Sequence, residues 1–204
     1  QESTDFDSSL AGRSSRRRKN IGNARSSLAD AGVVFQQLTG ADIQPKHWDD
    51  FYRFYLATID KKWGGAYLTR EFFTEIAASL ADKILLVMAS RDGEMKAGAL
   101  NFIGKNTLYG RNWGCVNALP NLHFETCYYQ AIDFAISRGL QKVEAGAQGF
   151  HKVQRGYLPV HTYSAHWLAD EGFSEAVQRF LRQESMAIEE ERQQVVATSP
   201  YRRT

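Results

Sequence analysis

The sequence predicts an α/β domain of the α+β kind: a mixed, mainly antiparallel sheet with helices on both faces. Three observations lead there. Runs at 83–90, 96–103 and 107–113 follow one another with only turn residues between them, as in an antiparallel meander. A helical pattern at 122–138 then leads into a short apolar run at 142–147, which brings a strand back parallel to the meander. Apolar residues at helical spacing on flanking segments give faces that need a sheet to bury them.

In chain order, residues 1–12 are polar and acidic, and Arg13 to Leu28 reads as a basic helix with a weak apolar face. Val33 to Leu38 is a β-branched run after Gly32 and predicts a strand. From Trp48, the positions Phe51, Tyr52, Tyr55 and Ile59 predict a helix with Asp49 and Asp50 in its first turn and Lys61 and Lys62 in its last. Gly64 and Gly65 are expected to end it. Its aromatic stripe is read as core. Thr69 is placed to cap a second helix that turns Phe72, Phe73, Ile76, Ala77 and Leu80 to one side. The meander closes through Asp92-Gly93 and through Gly104 to Asn106, and Gly139 stops the helix at 122–138. Lys142 to Ala147 is expected as a buried strand and Val160 to Leu168 as another. A last helix from Ser174 is expected to bury Val177, Phe180 and Leu181 and to fade into Glu189 to Arg192.

With 204 residues, 43% of them hydrophobic and 24% charged, the chain supports one ordinary core. No linker divides it. The expected organisation is a basic helical segment at 1–30, a single domain at 31–195 and a loose tail at 196–204. The longest strongly apolar run, Ile84 to Ala89, falls far short of the roughly 20 residues a membrane-spanning helix needs, so no span is expected. Cys115 and Cys127 are too few for a disulfide framework and lack metal-ligand spacing. They read as reduced thiols, nucleophilic cysteine being the minor reading, and with no secretory signal in view a cytoplasmic location is expected. The chain starts at Gln1 without Met, which is expected of a processed chain or of a piece of a longer one. Net charge is +2, and six basic against three acidic residues stand in 1–28, leaving the body near neutral. That segment either stays solvated or meets phosphates.

Chemistry is expected from Glu144 to Trp167, which holds three of the five histidines together with Lys152, Arg155, Tyr157 and Tyr163, just past a strand end where α/β sheets place ligands. A hydrogen-bonded loop with surface histidines fits the same composition. Metal binding is not expected, because strand alternation sends His161 and His166 to opposite faces and His123 and Glu125 diverge on a helix. Arg111-Asn-Trp-Gly114-Cys-Val116 is the nearest match to a pyrophosphate loop leading into a helix, and it lacks a small residue at its last position. General acid–base chemistry remains. Candidate bases are His151 and His161, with Glu144 orienting or assisting. Substrate contacts are expected from Arg111, Trp113, Gln148, Lys152, Arg155, Tyr157 and His166, Lys152 and Arg155 holding donor phosphate.

Several stretches together carry a resemblance: Arg17-Arg-Lys-Asn-Ile21, Leu38-Thr-Gly-Ala-Asp-Ile43, Tyr67-Leu-Thr-Arg70, Ala97-Gly-Ala-Leu-Asn101, Leu108-Tyr-Gly-Arg111, Trp113-Gly-Cys115, Leu122-His-Phe-Glu125, Tyr128-Tyr-Gln130 and Val143-Glu-Ala-Gly-Ala-Gln-Gly149. On these the chain resembles the FemAB-like proteins of peptidoglycan biosynthesis or recognition, within the acyl-CoA N-acyltransferase superfamily. The resemblance implies an acyl-CoA N-acyltransferase-like fold, and transfer of an acyl or aminoacyl group to the amine of a small molecule or cell-wall precursor. It also implies acyl-CoA or aminoacyl-tRNA as donor, and tRNA as a partner. Family members look longer, with two such halves, and this chain looks like the second. Two departures stand out: Phe150 where the family pattern has Glu, and Gly22 and Asn23 where it is more basic. They point to the alternative of a non-catalytic module that holds RNA or a cell-wall precursor. No feature of the sequence sets an oligomeric state.

Overall fold

The computed structural model describes residues 6, 15–60, 65–146 and 150–201. The chain divides into two compact units, Gln1–Ala147 and Gln148–Thr204.

The first unit is built on a five-stranded sheet in the order β1 (Val33–Thr39), β2 (Ile84–Arg91), β3 (Glu94–Ile103), β4 (Thr107–Cys115) and β5 (Lys142–Glu144). β1 to β4 are antiparallel neighbours and β5 runs parallel to β4, as the order of elements predicts. Asp92 and Gly93 both have positive φ, 54° and 78°, which a two-residue hairpin requires and which Asp and Gly tolerate. The apolar run Ile84 to Ala89 belongs to β2, an interior strand between β1 and β3, and is fully buried. Its alternate residues serve two layers. Ile84, Leu86 and Met88 pack with Trp48, Phe51, Phe54, Tyr55, Phe73 and Ile76, which come from helices α2 (Pro45–Ile59) and α3 (Arg70–Leu80). Leu85 and Val87 pack with Ala131 and Phe134 on the opposite face. A strand covered on both faces needs no polar side, which is why this run is continuous.

α2 begins three residues before its first expected residue. Pro45 occupies the first turn, and the Gln44 amide donates to Nδ1 of His47 at 3.0 Å, closing the helix start reciprocally. Its regular part ends at Ile59; Lys61, Lys62 and Gly64 lie outside the described residues. Before β1, the basic helix α1 (Ser15–Asp30) buries Ile21 and Leu28; Arg13 lies outside the described residues. Thr69 stands at the start of α3, but its side chain makes no capping bond to the backbone.

The helix expected at 122–138 is present as α4, made of Leu122–Phe124, a π-helical segment Glu125–Tyr129 and Gln130–Ser137. Gly139 ends it with φ 64°, and the Leu140 amide reaches back to the Ala135 carbonyl at 2.8 Å. β5 is shorter and more exposed than the buried strand expected at 142–147, because among the described residues it is the sheet's edge and pairs only with β4; Ala147 lies outside them.

The second unit holds α5 (Phe150–Val153), an irregular stretch and the long helix α6 (Glu171–Ala197). Val160 to Leu168 is not a strand. No ladder partner exists for it among the described residues, and Val160, Tyr163 and Trp167 are 71%, 91% and 86% exposed. The alternation argument for His161 and His166 therefore does not apply. α6 starts before Ser174 and runs through the charged segment. Its expected buried face is open, with Phe180 and Leu181 exposed and Val177 half-buried, since helical spacing marks an apolar stripe without supplying a surface to cover it. The expected loose tail includes Tyr201, whose hydroxyl donates to the Gly156 carbonyl at 3.1 Å.

Asp170 caps α6 by accepting from the Phe173 amide at 2.7 Å. Asp170→Ala is expected to cost the first turn about 1 kcal/mol. Amide exchange at Phe173 and Ser174 should then speed up about fivefold; unchanged exchange would show that the cap contributes nothing.

Candidate functional site

The sheet opens where β4 and β5 part. They pair only through Thr107–Lys142, Leu108–Val143 and Tyr109–Glu144, and β4 continues to Cys115 with no further β5 partner among the described residues. Gly110 sits where the parting strands still touch: a β-carbon there would lie 3.2 Å from the Glu144 carbonyl. On the β3 side, Leu100 pairs with Asn112 and Asn101 with Gly110, so Arg111 is an extra residue, a β-bulge. A bulge takes a backbone group out of the ladder and bends the strand, which leaves amides free to meet a ligand. Arg111 is exposed at this bulge, and Glu144 is exposed at the end of β5 on the same opening.

The stretch Arg111–Cys115 is thus strand, and the segment 116–121 joins it to α4. Gly114 is explained by packing: a β-carbon on it would lie 2.2 Å from the Phe54 carbonyl oxygen, so the backbones of α2 and β4 meet there. Asn121, with φ 65°, precedes α4 and makes no side-chain capping bond. Nothing in this loop reproduces a glycine cradle.

In the second unit, α5 carries His151 and Lys152, and Arg155 donates from Nη1 to the His151 carbonyl at 2.8 Å. Partial desolvation, together with the charges of Arg155 and Lys152, lowers the His151 pKa from its ordinary value. His161 is engaged elsewhere: its Nε2 lies 2.9 Å from Glu189, a carboxylate that Arg192, Gln193 and His161 hold well below the usual range. His166 pairs with the Ser164 hydroxyl at 2.9 Å. Lys152, Arg155 and Tyr157 are half-buried. Gln148 lies outside the described residues. Among the described residues, no group of three or more His, Cys, Asp or Glu is placed to hold a metal ion, and no helix is long and apolar enough to cross a membrane.

The sequence matches the FemAB-like family, described as peptidoglycan biosynthesis/recognition, over residues 1–203. The chain belongs to that family. No curated protein matches it. Among solved structures it is similar in fold to an aminoglycoside acetyltransferase from an uncultured soil metagenomic sample, in complex with sisomicin. The TM-score is 0.51 at 11% identity, over 69% of this chain and 99% of that one. It is also similar to L-PGS from Bacillus licheniformis, with a TM-score of 0.50 at 9% identity, over 65% of this chain and 42% of that one. The first unit's sheet, with its parallel β5 after a crossover helix, is the N-acyltransferase-like fold that the sequence predicts.

This FemAB-like chain also places together residues that the sequence reading kept apart. His123, at the start of α4, stacks edge-on to Trp113 at 4.9 Å, with Nδ1 3.4 Å from the Cys127 thiol and Nε2 3.4 Å from the Tyr128 hydroxyl. Trp113 therefore belongs with α4. The available signal was the spacing of His123 and Cys127, four residues apart on a helix and so on one face. Glu125 is the other residue passed over, and it turns away from His123 towards Arg25 of α1, 3.0 Å away.

Proposed function

We propose that this FemAB-like chain transfers an acyl or aminoacyl group to an amine of a cell-wall precursor. The observation that carries the reading is the opening between β4 and β5 with the bulge at Arg111. An extended donor can lie along the edge of β4 beyond Tyr109, which has no β5 partner among the described residues, and a backbone amide that the bulge takes out of the β3 ladder can meet its carbonyl oxygen as negative charge develops there. The structure of similar fold is named an aminoglycoside acetyltransferase, which is in keeping with this class of reaction. In the step itself the amine nitrogen attacks the donor carbonyl carbon and a base takes the amine proton. The C–S bond of an acyl-CoA thioester, or the C–O bond of an aminoacyl-tRNA ester, breaks as the leaving group departs and is protonated.

Of the candidate bases, we favour His151, because its surroundings lower its pKa and so favour its neutral form, and because His161 is committed to Glu189. Glu144 assists at the mouth of the opening. Arg111 and Trp113 are the substrate contacts we assign in the first unit, and Lys152 and Arg155, for donor phosphate, with Gln148, Tyr157 and His166 are those we assign in the second.

His151→Ala is expected to lower turnover about 10²- to 10⁴-fold with the fold intact, and His161→Ala to have a smaller effect. In the unsubstituted protein, the acid limb of the kcat/KM profile should fall below the ordinary histidine range, because lowering the pKa keeps the base free to lower pH. Full turnover in His151→Ala would remove this residue from the reaction. Thermal stabilisation by acetyl-CoA, longer acyl-CoAs or charged tRNA identifies the donor. Salt-sensitive RNA binding without turnover, lost when Arg16 to Lys19 are neutralised, would establish the non-catalytic alternative.

A further inference from the structure

A pocket of about 350 Å³ lies in the first unit, lined by Arg25, Ser26 and Ala29 of α1, Phe35 of β1, and Glu125 and Gln130 of α4. Among its described lining residues Glu125 is the only carboxylate, and the side chain is 4% exposed. Its two oxygens are used unequally. Oε1 accepts from Nε2 of Gln130 at 2.8 Å and pairs with Nη2 of Arg25 at 3.0 Å. Oε2 is buried and has no hydrogen-bond partner among the described residues.

The arrangement is held from several directions. Gln37 on β1 donates to Oε1 of Gln130 at 2.9 Å, which fixes that amide with its NH₂ towards Glu125. Arg25 is shared with Asp133 at 2.6 Å, so its charge is not devoted to Glu125 alone. Glu125 opens the π-helical segment of α4, and such local distortions re-aim side chains and recur at functional sites. Burial raises the Glu125 carboxyl above its ordinary value, opposed by the bonds from Gln130 and Arg25. A buried ion pair is weak evidence of stability, and without the Glu125 charge Arg25 would keep its partly exposed bond to Asp133, so the carboxylate is not required to compensate it.

We propose that this pocket is a binding site for a small cationic amine, whose ammonium group pairs with the Glu125 carboxylate, of which Oε2 has no hydrogen-bond partner among the described residues. The carboxylate offers an acceptor and a negative charge, while Phe35 and Ala29 supply apolar surface for a short carbon chain. The volume is at the small end of small-molecule pockets. A divalent metal would need several oxygen ligands, and no such group is assembled among the described residues. The site is independent of the transfer reaction and of the opening between β4 and β5.

The test uses the full chain and butylammonium as probe, titrated by saturation-transfer NMR with 1-butanol as the neutral match. Saturable binding in the millimolar range is expected, as for a fragment of this size, and 1-butanol should not displace it. Glu125→Gln should weaken binding about tenfold or more, because a charge-assisted contact is lost. Ala29→Phe, at an exposed position away from the charges, should abolish binding by filling the pocket. Thermal unfolding of Glu125→Gln is expected at the same or a higher temperature. The proposal is overturned by equal affinity in either variant, by no saturable binding in the unsubstituted chain, or by a marked fall in the unfolding temperature of Glu125→Gln. That last result would show that the carboxylate serves the ion pair with Arg25 instead.

Discussion

Gly114→Ala is expected to destabilise the first unit by about 3 kcal/mol or more, the upper end of what overpacking costs. The reason is geometric. A β-carbon at 114 would lie 2.2 Å from the Phe54 carbonyl oxygen, 2.3 Å from its carbon and 2.7 Å from the Tyr55 amide nitrogen. All three are backbone atoms inside α2, so no side-chain rotation relieves the clash, and α2 would have to move off the sheet. The neighbouring Cys115 amide, which donates to the Thr58 hydroxyl at 3.3 Å, would be pulled apart with it. Gly98 provides the internal comparison: a β-carbon there meets the side-chain atoms of Phe51 at 2.9 Å and Met88 at 3.0 Å, which can shift. Gly98→Ala should therefore cost less, about 1–2 kcal/mol. Denaturant midpoints at unchanged slope measure both. Equal, small losses would mean that Gly114 is not required by packing and would return it to the phosphate-loop reading.

Phe73→Ala should remove about 3–5 kcal/mol, a large part of the ~5–15 kcal/mol by which domains are stable. Phe73 is fully buried and is the hub of the aromatic layer between α2 and α3. Its ring centroid lies 5.6 Å from Phe51, 5.7 Å from Tyr52, 5.9 Å from Trp48 and from Tyr55, and 5.3 Å from Phe72. Truncation leaves a cavity bounded by rigid rings that collapse poorly, so the loss exceeds the transfer free energy alone. Phe72→Ala, at a half-buried ring on the same helix, should cost distinctly less. The near-UV signal of the packed aromatics reports the transition; a loss under about 1 kcal/mol for Phe73→Ala would contradict its central place.

The meander was legible because each strand carries its own turn chemistry: Asp92-Gly93 specifies a tight hairpin whatever surrounds it. Glu125 was not legible, since its partner Arg25 is a hundred residues away on another helix and neither residue sits in a recognisable motif. Trp113 was expected as a substrate contact, and its ring packs against His123, a neighbour that no local pattern indicated. The reading of 160–168 failed for a related reason. β-branched and aromatic residues favour extended backbone, but a strand exists only when a second strand accepts its hydrogen bonds.

Local patterning by itself therefore determined the α+β class, the order of the sheet strands, the two amphipathic helices before the meander and the glycine stop at 139. These depend on periodicity, turn residues and caps that act within a few positions. Only the tertiary structure decided that Gly114 is a packing glycine, that Arg111 is a bulge on the open edge of β4, and that a buried carboxylate faces a pocket on α4. Each depends on which distant backbone or charge arrives beside it, and short-range pattern carries no record of that approach.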